Sequence, residues 1–168
     1  MTLVGFDLGV HKIAGSVFTE GDAGFTLYRA EAYETDAKER DVQLMELAAF
    51  AYHMCTFHDA DSAWIEKPII GNNRKYSMQI AEVYGAVLSD LAMARMQGGL
   101  DTRSVDNKVW KKEVLGSGNA SKDDIRNYIH DVHPAYAAFC GDDQDRYDAT
   151  CIGVYGLGVL ERAQFLRL

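Results

Sequence analysis

With 168 residues, 48% of them hydrophobic, the chain has room for one domain with a real core and none for a multi-domain machine. Its 25 acidic side chains against 17 basic ones leave a net charge of −8, which argues against a nucleic-acid partner held by bulk electrostatics. No run approaches the ~18 apolar residues of a membrane span, the opening segment reads as a strand and not a signal peptide, and Cys55, Cys140 and Cys151 form no C-x-x-C pair, so reduced thiols in a cytoplasmic setting are expected and a zinc site is not. Residues 2–8 and 12–19 read as two strands around a tight turn. A third strand spans 25–33, after a turn marked by Gly21, Asp22 and Gly24. From Asp36 the period changes, and Val42, Met45, Ala49 and Tyr52 predict a helix over 38–57. A short apolar strand follows over 62–69, ended by Pro68. Ile80, Val83, Tyr84, Val87, Leu88 and Leu91 then give an amphipathic helix over 75–97. Residues 100–105 form a fifth strand, and a short helix over 107–114 runs into the loop GSGN. Ser121 starts another helix with Asp124 in the position of a capping box. Beyond Pro134 a last helix is expected over 145–164, where Gly153, Gly156 and Gly158 allow close packing on a sheet. Three strands followed by βα alternation predict an α/β fold, a mixed five-stranded sheet with helices on both faces.

The apolar run LVGF ends on Asp7, and a carboxylate rarely enters a core unless it is paired or holds a metal. A turn aspartate between hairpin strands is the competing reading. Glu66 repeats the arrangement at the end of AWI, just before Pro68. In open α/β sheets sites form outside the carboxyl ends of strands, so two such acids converge where their strands are neighbours. Asp145 and Asp148, three apart at the start of the last helix, project from one face. Acids there also suit the helix dipole; that reading, or a solvated loop, covers Asp142 and Asp143, while Asp148 runs into the apolar stretch ATCIGVYGLGVL and is expected to be buried. Four gathered carboxylates raise one another's pKa values, and two divalent cations relieve the repulsion. Magnesium takes hard oxygen ligands, and a pair of such ions hydrolyses phosphodiesters.

Asp7 in GFDLG, Glu66 in WIEKP and the paired acids of DRYDA resemble the active-site motifs of RuvC-type Holliday junction resolvases, in the RNase H-like superfamily. The resemblance runs along nearly the whole chain, with a similar element order and motif spacing. Its most specific part is NKVWKKEVLGSGNASKDDI (107–125), where Lys111 and Lys122 stand at the family's two lysine positions around a Gly-x-Gly turn. The residues also support a phosphate site directly: glycines admit a close phosphate, a helix N-terminus offers free N–H groups, and Arg103, Lys108, Lys111, Lys112 and Lys122 make a basic strip. An ordinary glycine turn beside a solvated lysine face reads the same residues structurally.

The resemblance implies one RNase H-like nuclease domain over 1–168. It implies a magnesium- or manganese-dependent endonuclease for branched DNA, with Asp7, Glu66, Asp145 and Asp148 as metal ligands and Lys122 beside the scissile phosphate. It further implies DNA contacts from Arg74, Lys75, Lys108, Lys111 and Lys112, 5′-phosphate and 3′-hydroxyl products, and a homodimer built through helix 75–97. The sequence departs from the family where an aromatic wedge follows the glutamate: here KPIIGNNRKY offers Ile69, Ile70 or the more distant Tyr76. That departure and the acidic charge suggest a divergent member, such as a phage enzyme, that cuts branched DNA more broadly. A monomeric nuclease maturing ribosomal RNA precursor and a non-catalytic nucleic-acid-binding domain are the alternatives. An ATP-dependent phosphotransferase needs a second domain that this length does not provide.

Overall fold

Successive strand side chains alternate between faces, so β1 (Thr2–Leu8) divides its residues between two cores. Val4 and Phe6 enter one core, and Leu3 enters the other. A computed structural model describes residues 1–165. It places β1 at the centre of a five-stranded sheet of order β3-β2-β1-β4-β5. β2 (Lys12–Gly21) pairs antiparallel with both β1 and β3 (Gly24–Glu34), while β4 (Ser62–Glu66) runs parallel to β1 and to β5 (Asp101–Val105). α1 (Arg40–Phe57) and α2 (Arg74–Gly98) cover the Val4 and Phe6 face, contributing Leu47, Ala51 and Met54 from α1 and Val83, Val87 and Leu91 from α2. On the opposite face lies α6 (Gln144–Phe165), with α3 (Asn107–Leu115), α4 (Lys122–Val132) and α5 (Pro134–Cys140) around it. This is the expected mixed α/β sheet with helices on both faces. Among the described residues no helix is long and apolar enough to cross a membrane.

Glycine decides how closely α6 approaches the sheet. A Cβ on Gly5 would lie 2.6 Å from the Ala149 carbonyl oxygen and 2.6 Å from the Gly153 amide nitrogen, so β1 and α6 touch backbone to backbone. Gly153 lies against the Phe18 ring and Gly156 against the Trp64 indole, as close packing requires. Gly158 departs from the expectation: a Cβ there would meet the Arg162 guanidinium at 3.9 Å, an ordinary contact at the rim of the helix.

Local signals set most boundaries. Asn73 caps α2 by accepting the Tyr76 amide, and the reciprocal Ser121–Asp124 capping box opens α4. Gly116 ends α3 at φ 78°, a left-handed conformation that favours glycine, and a Cβ on Gly118 would come within 3.0 Å of the Lys108 carbonyl. The Gly-x-Gly turn thus has its own structural need for both glycines. Two boundaries differ from the sequence reading. β4 stops at Glu66 and not at residue 69, because Pro68 lacks the amide that pairing needs. The segment after Pro134 is itself a helix, α5, whose seven residues are too few to show a periodic pattern.

Candidate active site

The alternation that sends Val4 and Phe6 to α1 and α2 turns Asp7 towards α6, and in β4 it turns Trp64 and Glu66 the same way. β1 and β4 are parallel neighbours, with Gly5 level with Trp64 and Phe6 level with Ile65, so Asp7 and Glu66 leave adjacent strand ends together. The N-terminal end of α6 arrives over those strand ends and delivers Asp145 and Asp148. One carboxylate oxygen from each of Asp7, Asp145 and Asp148 lies within 4.8 Å of the others. Burial, then the charges of Asp148, Glu66 and Asp145, push the Asp7 carboxyl well above its ordinary range, against the opposing charge of Lys122. Asp148 is raised mainly by burial, and Lys111 and Lys122 both counter the shift.

Glu66 stands beside this trio, not inside it. Its carboxylate accepts the Asn107 amide at 3.0 Å on Oε1 and 3.1 Å on Oε2, and the Trp110 indole N–H at 2.7 Å on Oε2. Burial raises its pKa, Trp110 and Asn107 oppose that, and the charge of Asp148 adds to it. The four predicted acids are therefore brought together as a tight aspartate trio with an adjacent, separately anchored glutamate.

Several residues of the site escaped the sequence reading. Lys12, at the start of β2, bridges Asp143 at 2.7 Å and Asp145 at 2.9 Å. Asp143, read as a solvated or dipole-facing acid, also accepts the Asp145 amide at 3.1 Å. Burial alone would raise Asp143, but Lys12, that amide and Arg146 together hold it below the usual carboxylate range. Gln144 donates to Asp148 Oδ1 at 3.0 Å and is itself held by Arg126 at 2.8 Å. Each of these pairings joins residues remote in sequence or lacks a motif; the one local signal was an acid directly before an acidic helix start.

The basic residues divide. Lys111 donates to the Ala120 carbonyl at 3.2 Å and lies 5.5 Å from the Trp110 ring centre, near enough to Glu66 and Asp148 to lower both. Lys122 opens α4 and faces Asp7 and Asp148. Lys108 and Lys112 are exposed on α3, and Arg74 and Lys75 are exposed at the start of α2. Arg103 leaves the strip, since it pairs with Asp101 at 2.7 Å and lies over the Trp64 ring. Ile69, Ile70 and Tyr76 are exposed, and Ile69 and Tyr76 line a cleft of about 110 Å³ beside Glu66.

The family model described as crossover junction endodeoxyribonuclease RuvC matches residues 3–139. The chain belongs to the RuvC family. No curated protein matches its sequence. The Thermus thermophilus RuvC in complex with Holliday junction substrate superposes with a TM-score of 0.75 over 92% of each chain, at 16% identity. The yeast mitochondrial Holliday junction resolvase reaches 0.65 over 92% of this chain and 77% of its own, at 10% identity. The fowlpox virus resolvase, in complex with junction DNA, reaches 0.60 over 95% and 99%, at 12% identity. At such identities these likenesses speak for the fold, which is the RuvC and RNase H-like one. The family match ends before Asp145 and Asp148, so their place in this RuvC-family chain rests on the geometry of α6.

Proposed function

We propose that this RuvC-family nuclease cuts Holliday junctions by metal-assisted phosphodiester hydrolysis, within one domain over 1–168. The observation that carries the reading is the trio Asp7, Asp145 and Asp148 at the ends of β1 and α6, with Glu66 beside it and Lys111 and Lys122 facing it. Hard oxygen donors within 4.8 Å of one another suit a small divalent cation. Asp7, Glu66, Asp145 and Asp148 would hold Mg²⁺, with Mn²⁺ as a substitute. When bound, such ions supply the Lewis acidity and charge stabilisation that hydrolysis of a phosphodiester needs.

The chain's own residues do the rest. Lys122 places a positive charge where α4 also presents free backbone amides, an arrangement that orients a phosphate against the acids. Lys111, Lys108 and Lys112 on α3 and Arg74 and Lys75 on α2 would contact the flanking backbone, while Ile69 or Ile70 supplies an apolar wedge. A local basic rim around an acidic centre reconciles a net charge of −8 with a DNA substrate. Buried free cysteines suit action in the cytoplasm of a bacterium or a phage-infected cell.

The test uses labelled four-way, three-way, flapped and linear DNA with and without Mg²⁺. Expected are paired nicks across the four-way junction, leaving 5′-phosphates, and no cleavage after chelation. Equal cutting of linear duplex, or cutting that persists in chelator, would overturn the reading.

Paired nicks need two sites, and α2 offers a surface for a second copy. Ile80, Val83, Val87 and Leu91 serve the core, leaving Met78, Ala81, Gly85, Ala92 and Met96 exposed on the outer face. Small residues flanked by flexible methionines let two helices approach closely. At Gly85 a Cβ would meet nothing within 4 Å in the single chain, and glutamate favours a helix more than glycine does. Gly85→Glu or Ala81→Glu should therefore leave the fold intact and yield monomers that nick junctions without pairing the cuts. Sedimentation velocity at micromolar concentration checks this; a wild-type monomer that still makes paired cuts would refute the dimer.

A further inference from the structure

We propose that Trp110 and Asn107 are positioning residues for Glu66, locking its carboxylate so that Oε1 is the oxygen left open for a cation. The inference rests on the metal-assisted reading above and assigns the binding atom within it. A carboxylate presents about four lone-pair directions over its two oxygens. Oε2 receives two donors, the Trp110 indole at 2.7 Å and the Asn107 amide at 3.1 Å; Oε1 receives only the Asn107 amide, at 3.0 Å. Oε2 is thus saturated, and Oε1 keeps one free direction.

The anchors are themselves fixed. Trp110 is fully buried, packed in the cluster that contains Val105, Ile125 and Ile129, so its N–H points at Glu66 without rotameric freedom. Asn107 is the first residue of α3, held by the helix it begins. The other acids are restrained more lightly. Lys12 takes Asp145 Oδ2, and Gln144 takes Asp148 Oδ1, one side-chain donor each. Glu66 stands at the edge of the aspartate trio, and on a longer side chain it has more torsions to restrain before it can serve as a ligand.

The test measures Mn²⁺ binding to the full chain by the electron paramagnetic resonance of free Mn²⁺, beside cleavage kinetics on a four-way junction. Trp110→Phe keeps an aromatic side chain, though a smaller one, and removes the donor; Asn107→Ala removes the second donor at a half-buried position and serves if the Phe variant folds poorly. Each is expected to weaken Mn²⁺ binding about tenfold, as loss of a ligand-orienting hydrogen bond does. At saturating metal kcat should fall while KM for the junction stays within about twofold, a split that general loosening of the fold would not produce. Glu66→Gln is the reference. If Glu66→Gln loses affinity while Trp110→Phe and Asn107→Ala both bind Mn²⁺ as the wild type does, the positioning role is overturned and the metal reading stands. If the wild type binds no Mn²⁺, the metal reading itself fails.

Discussion

Asp7→Asn is expected to abolish Mg²⁺-dependent cleavage, by about a thousandfold or more (~4 kcal/mol of barrier), while junction affinity changes little. Asp7 is the one acid of the trio delivered by the sheet, and Asp145 and Asp148 meet across it. Asparagine preserves the shape and one oxygen but not the charge that holds a cation. DNA affinity should survive because the basic residues on α2, α3 and α4 are untouched. The same substitution has a second readout of opposite sign. Burial and three neighbouring carboxylates raise the Asp7 pKa in the fold, so its ionised form opposes folding at pH values above its ordinary range. Removing that charge should raise the metal-free melting temperature, by roughly 2–4 °C for each kcal/mol recovered, and erase the further rise that Mg²⁺ gives the wild type. Calorimetry with and without Mg²⁺ reads both. A well-folded Asp7→Asn protein that keeps substantial Mg²⁺-dependent activity would sink the carboxylate model.

One substitution placed at two glycines of α6 should act in opposite directions. Gly153→Ala puts a methyl group into the Phe18 ring at the point where α6 meets the Gly5 backbone, leaving no flexible side chain to yield. Overpacking of this kind costs about 1–3 kcal/mol, occasionally more, and alanine's helical advantage of ~1 kcal/mol offsets only part of it. It should lower the melting temperature by several degrees and depress cleavage, since α6 carries Asp145 and Asp148. Gly158→Ala meets Arg162 at 3.9 Å and should be neutral or stabilising by up to ~1 kcal/mol. Denaturant melts of the two variants decide it: equal effects would mean that helical propensity, and not the contact with β1, governs both sites.

The strand-end acids were legible because a carboxylate closing an apolar run is chemically conspicuous, and strand alternation then gives Asp7 and Glu66 a common face. α2 was legible from its apolar period and α4 from its capping box. α1 lies where it was expected, but the stripe Val42, Met45, Ala49 and Tyr52 is not its core face: Leu47, Ala48, Ala51 and Met54 are buried instead, and Met45 is exposed. α5 was not legible, because seven residues after a proline carry no period. Gly158 shared a pattern with Gly153 and Gly156, yet composition cannot say which turn of a helix reaches the sheet. The anchors were least visible of all. Lys12 bridging Asp143, Trp110 donating to Glu66 and Arg126 holding Gln144 join residues 131, 44 and 18 positions apart, and only the folded chain brings them together. Asp143 illustrates the cost of a local argument: the helix-end reading explained its position and missed the lysine that the start of β2 presents on the same side.

Two-sidedness of the sheet makes parity a functional property of β1. Odd-numbered Leu3, Gly5 and Asp7 belong to the α6 side, and even-numbered Val4 and Phe6 to the α1 and α2 side. A slip of β1 by one residue would exchange the two sets. It would drive Phe6 into the space where Gly5 admits the α6 backbone and carry the carboxylate to the layer where α2 is proposed to meet its partner. The glycine contact therefore polices the register that chemistry depends on: the strand cannot be misthreaded and remain packed. A single-residue insertion in β1 would therefore be a packing lesion and a catalytic one at once.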